Sequence, residues 1–309
     1  MRPPCQAKAG SRKAVAWERA GRKFEDFGRD EIRQPYKKEE VSAMTPNDRK
    51  IALITGATSG IGAAYAHALA KEGYDLIITG RRREIIESVA EKIEKQFKVK
   101  VRVVITELSK SDDLDNLIHT IHSVGPIDML VNNAGFTTKG IFYQQDILEL
   151  ERMVIVHGIA MIKLTHAVLP GMIGRRNGII INVSSVQAVT PMPLSVGYTS
   201  VKAFMKNFSI SLHGEVKDHG VKIQCVLPGF TRTDLGRGIG VDMNTIKNRR
   251  LMHWMLPEEV VRVSLRELNK KNKVICIPGA GNKMLYVAAK LLPERLWYLV
   301  APKIVNNMP

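Results

Sequence analysis

The stretch YTSVK, Tyr198 to Lys202, sets a phenol and an ammonium four residues apart in a segment that reads as helix. Positions i and i+4 share one helix face, so the lysine lies one turn from the tyrosine. A free phenol, with a pKa of about 10, is a poor base at neutrality. A neighbouring cation favours the phenolate, so Lys202 is expected to lower the pKa of Tyr198 and make it a proton-transfer group. On its own such a pair is usually a solvated surface pair, and the rest of the chain has to supply the weight.

A second constellation is TGATSGIG, Thr55 to Gly62, placed between an apolar run and a helical pattern. Gly56, Gly60 and Gly62 stand where a backbone must turn tightly, approach a pyrophosphate and let a helix pack closely on a strand. Thr58, Ser59 and Ile61 complete the loop, and the helix N-terminus offers unpaired N–H groups to phosphate. The next apolar run ends in TGRRR, where a site preferring NAD(H) usually carries an acid for the ribose hydroxyl. Arg81, with Arg82 in reserve, is suited to a 2′-phosphate through a charge-assisted contact. NADP(H) is therefore the expected cofactor, with NAD(H) the alternative.

The elements that must position these groups follow from periodicity. Short apolar runs begin at Lys50, Tyr74, Val99, Ile127, Gly178, Val221 and Lys273, each bounded by a turn signal. Helical patterns lie between them, at Ile61–Glu72, Arg83–Phe97, Asp112–Val124, about Leu148–Met172, Val196–Asp218 and from Pro257. Alternation with apolar strand centres predicts an α/β fold: one Rossmann-type, doubly wound parallel sheet with helices on both faces. Residues 49–281 are expected to form this catalytic domain, 1–48 read as a basic, flexible N-terminal extension with Met44 as an alternative start, and 282–309 as an amphipathic C-terminal extension.

The 309 residues carry 45% hydrophobic and 25% charged side chains, ordinary for a globular protein with a large core. A formal charge of +16 and a pI near 9.8 favour anionic company: a phosphorylated cofactor, an acyl carrier, an anionic membrane surface or nucleic acid. Cys5, Cys225 and Cys276 are scattered and odd in number, which indicates neither a disulfide framework nor a metal site and points to a reducing compartment. No run of about 18 uncharged apolar residues is present, so a spanning helix is not expected.

Taken together, TGATSGIG, NNAG at Asn132–Gly135, NVSS at Asn182–Ser185, YTSVK and PGFTRT at Pro228–Thr233 resemble the short-chain dehydrogenase/reductase family over Lys50 to Gly281. The likeness is greatest to the branch of hydroxysteroid and long-chain ketoacyl reductases. The resemblance implies that Tyr198 exchanges a proton with the substrate oxygen while a hydride moves to or from nicotinamide. Lys202 then also holds the nicotinamide ribose, and Ser185 bonds the carbonyl oxygen. It further implies cofactor contacts from Asn133, Gly135, Pro228, Gly229 and Thr233, and from Glu107 and Leu108 beside the adenine. The family's fourth catalytic residue, an asparagine, falls at His157, which either joins a proton path or fills space in an apolar helix.

The segments around the expected site, 186–196 and 234–256, are rich in apolar residues and suit a small hydrophobic ketone or alcohol such as a steroid or long-chain acyl compound. The run Lys247, Arg249, Arg250 suits a carboxylate, phosphate or carrier protein, or plain solvation. By resemblance the chain forms a homodimer or homotetramer through its two longest helices. The segment Lys283–Val305 is expected to pack on the domain or a partner, with peripheral membrane contact as the alternative. The expected location is cytoplasmic, with membrane association left open. Two rival readings are an NADP(H)-binding protein without turnover and a basic membrane or nucleic-acid module. No nucleic-acid motif supports specific recognition of the latter kind.

Overall fold

A computed structural model of the chain describes residues 49–235 and 254–301, less 269, 271, 272, 294, 298 and 300. The basic leader 1–48, the Lys247, Arg249, Arg250 run and most of the expected substrate segment 234–256 lie outside the described residues.

Seven strands form one sheet: β1 (Ile51–Thr55), β2 (Asp75–Gly80), β3 (Val101–Ile105), β4 (Met129–Asn132), β5 (Gly178–Val183), β6 (Val221–Val226) and β7 (Ile275–Cys276), in the order 3-2-1-4-5-6-7. Every pairing is parallel. The helices are α1 (Gly60–Lys71), α2 (Arg83–Phe97), α3 (Ser111–Val124), α4 (Ile147–Val154), α5 (Ala160–Gly174), α6 (Val196–Val216), α7 (Pro257–Leu268) and α8 (Ala280–Leu291). The Rossmann-type expectation holds.

Both faces are covered because the strands are apolar on both sides. On one face Ile54, Leu76 and Ile78 pack with Tyr65 and Leu69 of α1, Ile86 of α2 and Val260 of α7. On the other, Leu53, Leu130 and Ile180 pack with Leu117 of α3, Leu164 of α5 and Leu212 of α6. Tyr65 is wholly buried, and its hydroxyl is satisfied by donating to Ser264 Oγ at 2.6 Å, which ties α1 to α7.

Two features of this architecture position the site. The sheet order reverses between β1 and β4, so the carboxyl ends of those two strands border a crevice into which the glycine loop and NNAG both open. The long helix expected over 148–172 is instead interrupted: a π turn, Ile155–Ile159, joins α4 to α5 and contains His157. An inserted residue of this kind widens the helix locally, and such turns gather at functional sites. The whole run Ile147–Gly174 is, by length and composition, long and apolar enough to cross a membrane, and half of its most apolar window is buried within the fold.

Candidate active site

The strand β5 delivers Ser184 and Ser185 beside the N-terminal turns of α6, which carry Tyr198 and Lys202. Ser185 is extended at φ −162°, and its Oγ accepts from Gln187 N at 3.2 Å, starting the 3₁₀ turn Val186–Ala188. The Ser185 hydroxyl lies on the Tyr198 side and moderates the phenol's pKa. Ser184 turns the other way and donates to the Lys202 carbonyl at 2.8 Å, fixing α6 to the strand end. Tyr198 is 7% exposed and Lys202 4% exposed, so both leave water on folding.

The expectation that Lys202 acidifies Tyr198 is corrected here. Burial pushes the phenol up to about 12, and the Ser185 hydroxyl recovers only part of that rise. Burial also pulls the Lys202 ammonium down to about 7, so its charge is only half present at neutrality. Its Nζ does not point along the helix to the hydroxyl; it donates to Val183 O at 2.8 Å and lies 5.5 Å from the centre of the Tyr198 ring. Two buried groups with opposite charged forms both become neutral when desolvation outweighs their attraction.

His157 sits against this pair. Its ring meets that of Tyr198 edge to face at 5.9 Å between centroids. Nε2 lies 2.8 Å from Phe136 O and 3.2 Å from Phe136 N, donating to the carbonyl in one tautomer and accepting from the amide in the other. Nδ1 is buried with no protein partner. Burial, and next the Lys202 charge, hold the imidazole well below its ordinary pKa, against the Phe136 hydrogen bond. Gly135 is obligatory opposite it, since a Cβ there would overlap the His157 ring.

At the other end of the crevice the glycine loop is shaped as its sequence requires. Gly56 and Gly60 have φ of +68° and +57°, and a Cβ on Gly62 would overlap the Gly56 carbonyl. Asn133 reaches across from β4, its Nδ2 donating to Thr55 O at 2.9 Å and Gly56 O at 3.1 Å. Ser59 precedes α1 without its side chain capping the helix, so the first-turn N–H groups are left for a ligand. Ile61 packs on the core below the loop.

The two arginines are held differently. Arg81 is engaged by Glu107 at 3.0 Å, whereas Arg82 turns back over the loop, donating to Thr58 Oγ1 at 2.8 Å and Ser59 Oγ at 3.2 Å. Arg82 also meets Asp234 at 3.5 Å, linking the loop to the segment after β6. There Thr233 lies over Gly60, whose Cβ would come within 2.9 Å of Thr233 Cγ2. Burial raises the Glu107 pKa, but hydrogen bonds from Ser109 and Arg81 outweigh it and hold the carboxyl below its usual range. Leu108 is a core residue, 5% exposed. Gly229, after Pro228, packs against the Asn282 side chain of α8.

Several positioning groups carry no motif of their own. Thr55 Oγ1 accepts from the backbone N of both Asn133 and Ala134 at 3.0 Å, locking β1 to NNAG. Asn132 Nδ2 donates to Asn182 Oδ1 at 2.9 Å, and Asn182 Nδ2 to Ser209 Oγ at 2.9 Å, joining β4, β5 and α6 in the interior. Arg152 of α4 comes within 3.6 Å of Glu107 and shares with Arg81 and Lys110 the rim of a cleft of about 460 Å³. These contacts span long sequence separations; only the asparagine in NNAG and NVSS carried a local signal.

The donor set and cradle fit a dinucleotide. Tight glycines, uncapped helix N–H groups and hydroxyls bridged by a guanidinium suit a pyrophosphate and a further phosphate, and the hydroxyl pair lies at the opposite end of the crevice.

A family model described as short chain dehydrogenase matches residues 50–244. The bovine very-long-chain 3-oxoacyl-CoA reductase is 34% identical over 190 residues, 60% of this chain and 61% of that protein. The chain thus spans about three fifths of the length of that relative. The zebrafish very-long-chain 3-oxoacyl-CoA reductase-B is 33% identical over 254 residues, 80% of this chain and 77% of its own. Among solved structures, a short-chain dehydrogenase from Sphingobium yanoikuyae in complex with NADPH matches with a TM-score of 0.70 and 29% identity, covering 84% of this chain and 96% of that one.

Proposed function

The chain belongs to the short-chain dehydrogenase/reductase family, and from that premise we propose that it is an NADP(H)-dependent reductase of hydrophobic ketones, with long-chain 3-oxoacyl compounds as the substrate class. The observation that carries the reading is the meeting of two hydroxyls at one end of the crevice: buried Tyr198, protonated up to about 12, beside the half-buried Ser185. A phenol in that state carries its proton at neutrality, the proton that the carbonyl oxygen needs in reduction.

When bound, a reduced nicotinamide supplies the hydride. Ser185 donates to the substrate oxygen and orients it. Tyr198 delivers its proton to that oxygen as negative charge develops there, becoming phenolate. Lys202 has a pKa of about 7 that lets it carry a charge at neutrality, and in its protonated form it stabilises the phenolate. The buried His157 Nδ1, which has no protein partner, is left for a water molecule, which supports the proton-path role over mere filling of space. Arg82, with Thr58 and Ser59, receives the 2′-phosphate, and Glu107 the adenine edge. The long-chain acyl assignment rests on the names of the relatives and on the apolar residues Val186, Ala188 and Met192 between Ser185 and Tyr198.

Purified protein is given NADPH or NADH with 3-oxoacyl thioesters of increasing chain length and with steroid ketones, and nicotinamide absorbance is followed. Long-chain thioesters with NADPH are expected to turn over fastest. Tyr198→Phe lowers kcat by roughly 10²- to 10⁴-fold at unchanged cofactor affinity. Arg82→Ala raises the KM for NADPH by roughly tenfold or more and leaves that for NADH unchanged. Full activity in Tyr198→Phe overturns the mechanism, and tight NADPH binding without turnover on any ketone favours a binding protein.

A further inference from the structure

The helix α8 is amphipathic in an unusual sense, with an anchored face and an apolar face that both lack charge. Asn282, Tyr286 and Ala289, at spacings i, i+4 and i+7, are its partly buried side. Asn282 rests on Gly229, donating to Pro278 O at 2.7 Å, and Tyr286 packs with Val186, Ala188 and Leu227. Met284, Val287 and Leu291, at i, i+3 and i+7, lie diametrically opposite and are 72%, 53% and 77% exposed. After Pro293 the chain continues in the same character, with Leu296 and Leu299 47% and 66% exposed. An apolar stripe opposite the packed face has no role in the fold itself, and burying it elsewhere is favourable.

The charges beside the stripe select what covers it. Lys283, which also comes within 3.8 Å of Glu267, and Lys290, seven residues on, run along one edge, and Arg295 follows, all exposed. A second copy docking the same stripe would bring like charges together, on a chain already at +16. A bilayer bearing anionic headgroups accepts both the leucines and the cations.

We infer that Met284, Val287, Leu291, Leu296 and Leu299 form a docking surface for an anionic lipid bilayer, with Lys283, Lys290 and Arg295 at the headgroups. The surface is joined to the catalytic end of the molecule. Tyr286 packs on Val186, directly after Ser185, and Trp297 Nε1 donates to Pro191 O at 2.7 Å in the stretch that leads to Tyr198. Docking therefore sets the segment between the two hydroxyl residues near the membrane, so that an apolar substrate enters from the lipid; that consequence rests on the function proposed above, whereas the docking itself does not.

The test is co-sedimentation of the full chain with vesicles of phosphatidylcholine alone or mixed with phosphatidylserine. Protein is expected to pellet with the mixed vesicles and to be released by high salt. Met284→Ser/Val287→Ser/Leu291→Ser is expected to weaken binding at least tenfold, and Lys290→Glu/Arg295→Glu to abolish the preference for phosphatidylserine. Circular dichroism, and unchanged reduction of a short soluble ketone, establish that both variants are folded and separate failure of docking from failure of the catalytic reading. Wild type left in the supernatant, equal pelleting with neutral vesicles, or a triple variant that pellets as well as wild type overturns the inference. So does a fall in mass of the triple variant by light scattering without lipid, which places a second copy on the stripe.

Discussion

Lys202 is the residue whose protonation the fold moves into the working range. Its pKa is about 7 in the folded chain, through burial, against 10.5 when exposed. Between those values the unfolded chain binds more protons than the folded one, so stability rises with pH. Below pH 7 both states are protonated and the full cost of burying the ammonium is borne. The slope reaches at most about 1.4 kcal/mol per pH unit. His157 is held below this window by burial, and Cys225, pushed from 9.0 up to about 12 by burial, lowers stability only as pH rises above 9. The melting temperature is therefore expected to rise from pH 7 to 9 in the wild type relative to Lys202→Met, in which this increment is missing; parallel profiles sink the assignment. Residue identities of this kind were legible in the sequence, since Ser185, Tyr198 and Lys202 come together as their spacing implies. Their electrostatics were not, because the strength of desolvation depends on the strands and helices that close over α6. The placement of Arg81 and Arg82 was hidden for the same reason: which guanidinium reaches Thr58 and which meets Glu107 is settled by residues 23 to 26 positions away.

At the scale of elements, the meeting of the β4 end with the π turn decides how His157 stands. The turn brings the imidazole onto Gly135, where a methyl group has no room, so Gly135→Ala is expected to destabilise by about 1–3 kcal/mol, as overpacking does. Shrinking the ring relieves the overlap. The double variant Gly135→Ala/His157→Ala should then unfold at a denaturant midpoint above the sum of the single effects, a coupling that a thermodynamic cycle measures. Additive losses would show that the two do not press on each other. Periodicity located the strands and helices because each is a local pattern, and it placed the glycine loop correctly between β1 and α1. It passed over the π turn, since IVHGI is as apolar as an uninterrupted helix. It also passed over the Asn132, Asn182 and Ser209 chain, which exists only once β4, β5 and α6 are side by side.

The whole molecule presents a second apolar surface, distinct from the C-terminal stripe, where α4, the π turn and α5 lie beside α6. Val154, Ile159 and Ile162 are 47%, 45% and 37% exposed on the first run, Phe204 and Ile210 42% and 45% on α6. Phe204 lies across Gly158, 3.6 Å from where a Cβ would stand, and 6.2 Å from the Phe208 ring centre, so the patch is continuous across both helices. Here Lys163, beside Ile162, is paired with Asp115 at 2.8 Å, which lessens the repulsion that argues against self-pairing at α8. A two-fold contact between copies, each offering the same face, buries such a patch with least frustration. The π turn and α6 also carry His157, Tyr198 and Lys202, so pairing of copies through this face would stiffen the elements that hold the site. Ile162→Glu/Phe204→Glu is expected to convert the assembly to a monomer by light scattering, with a lower melting temperature and a kcat that falls as protein is diluted. Wild type already monomeric, or a variant of unchanged mass, would leave this face without a partner copy and would shift the search for one to another surface.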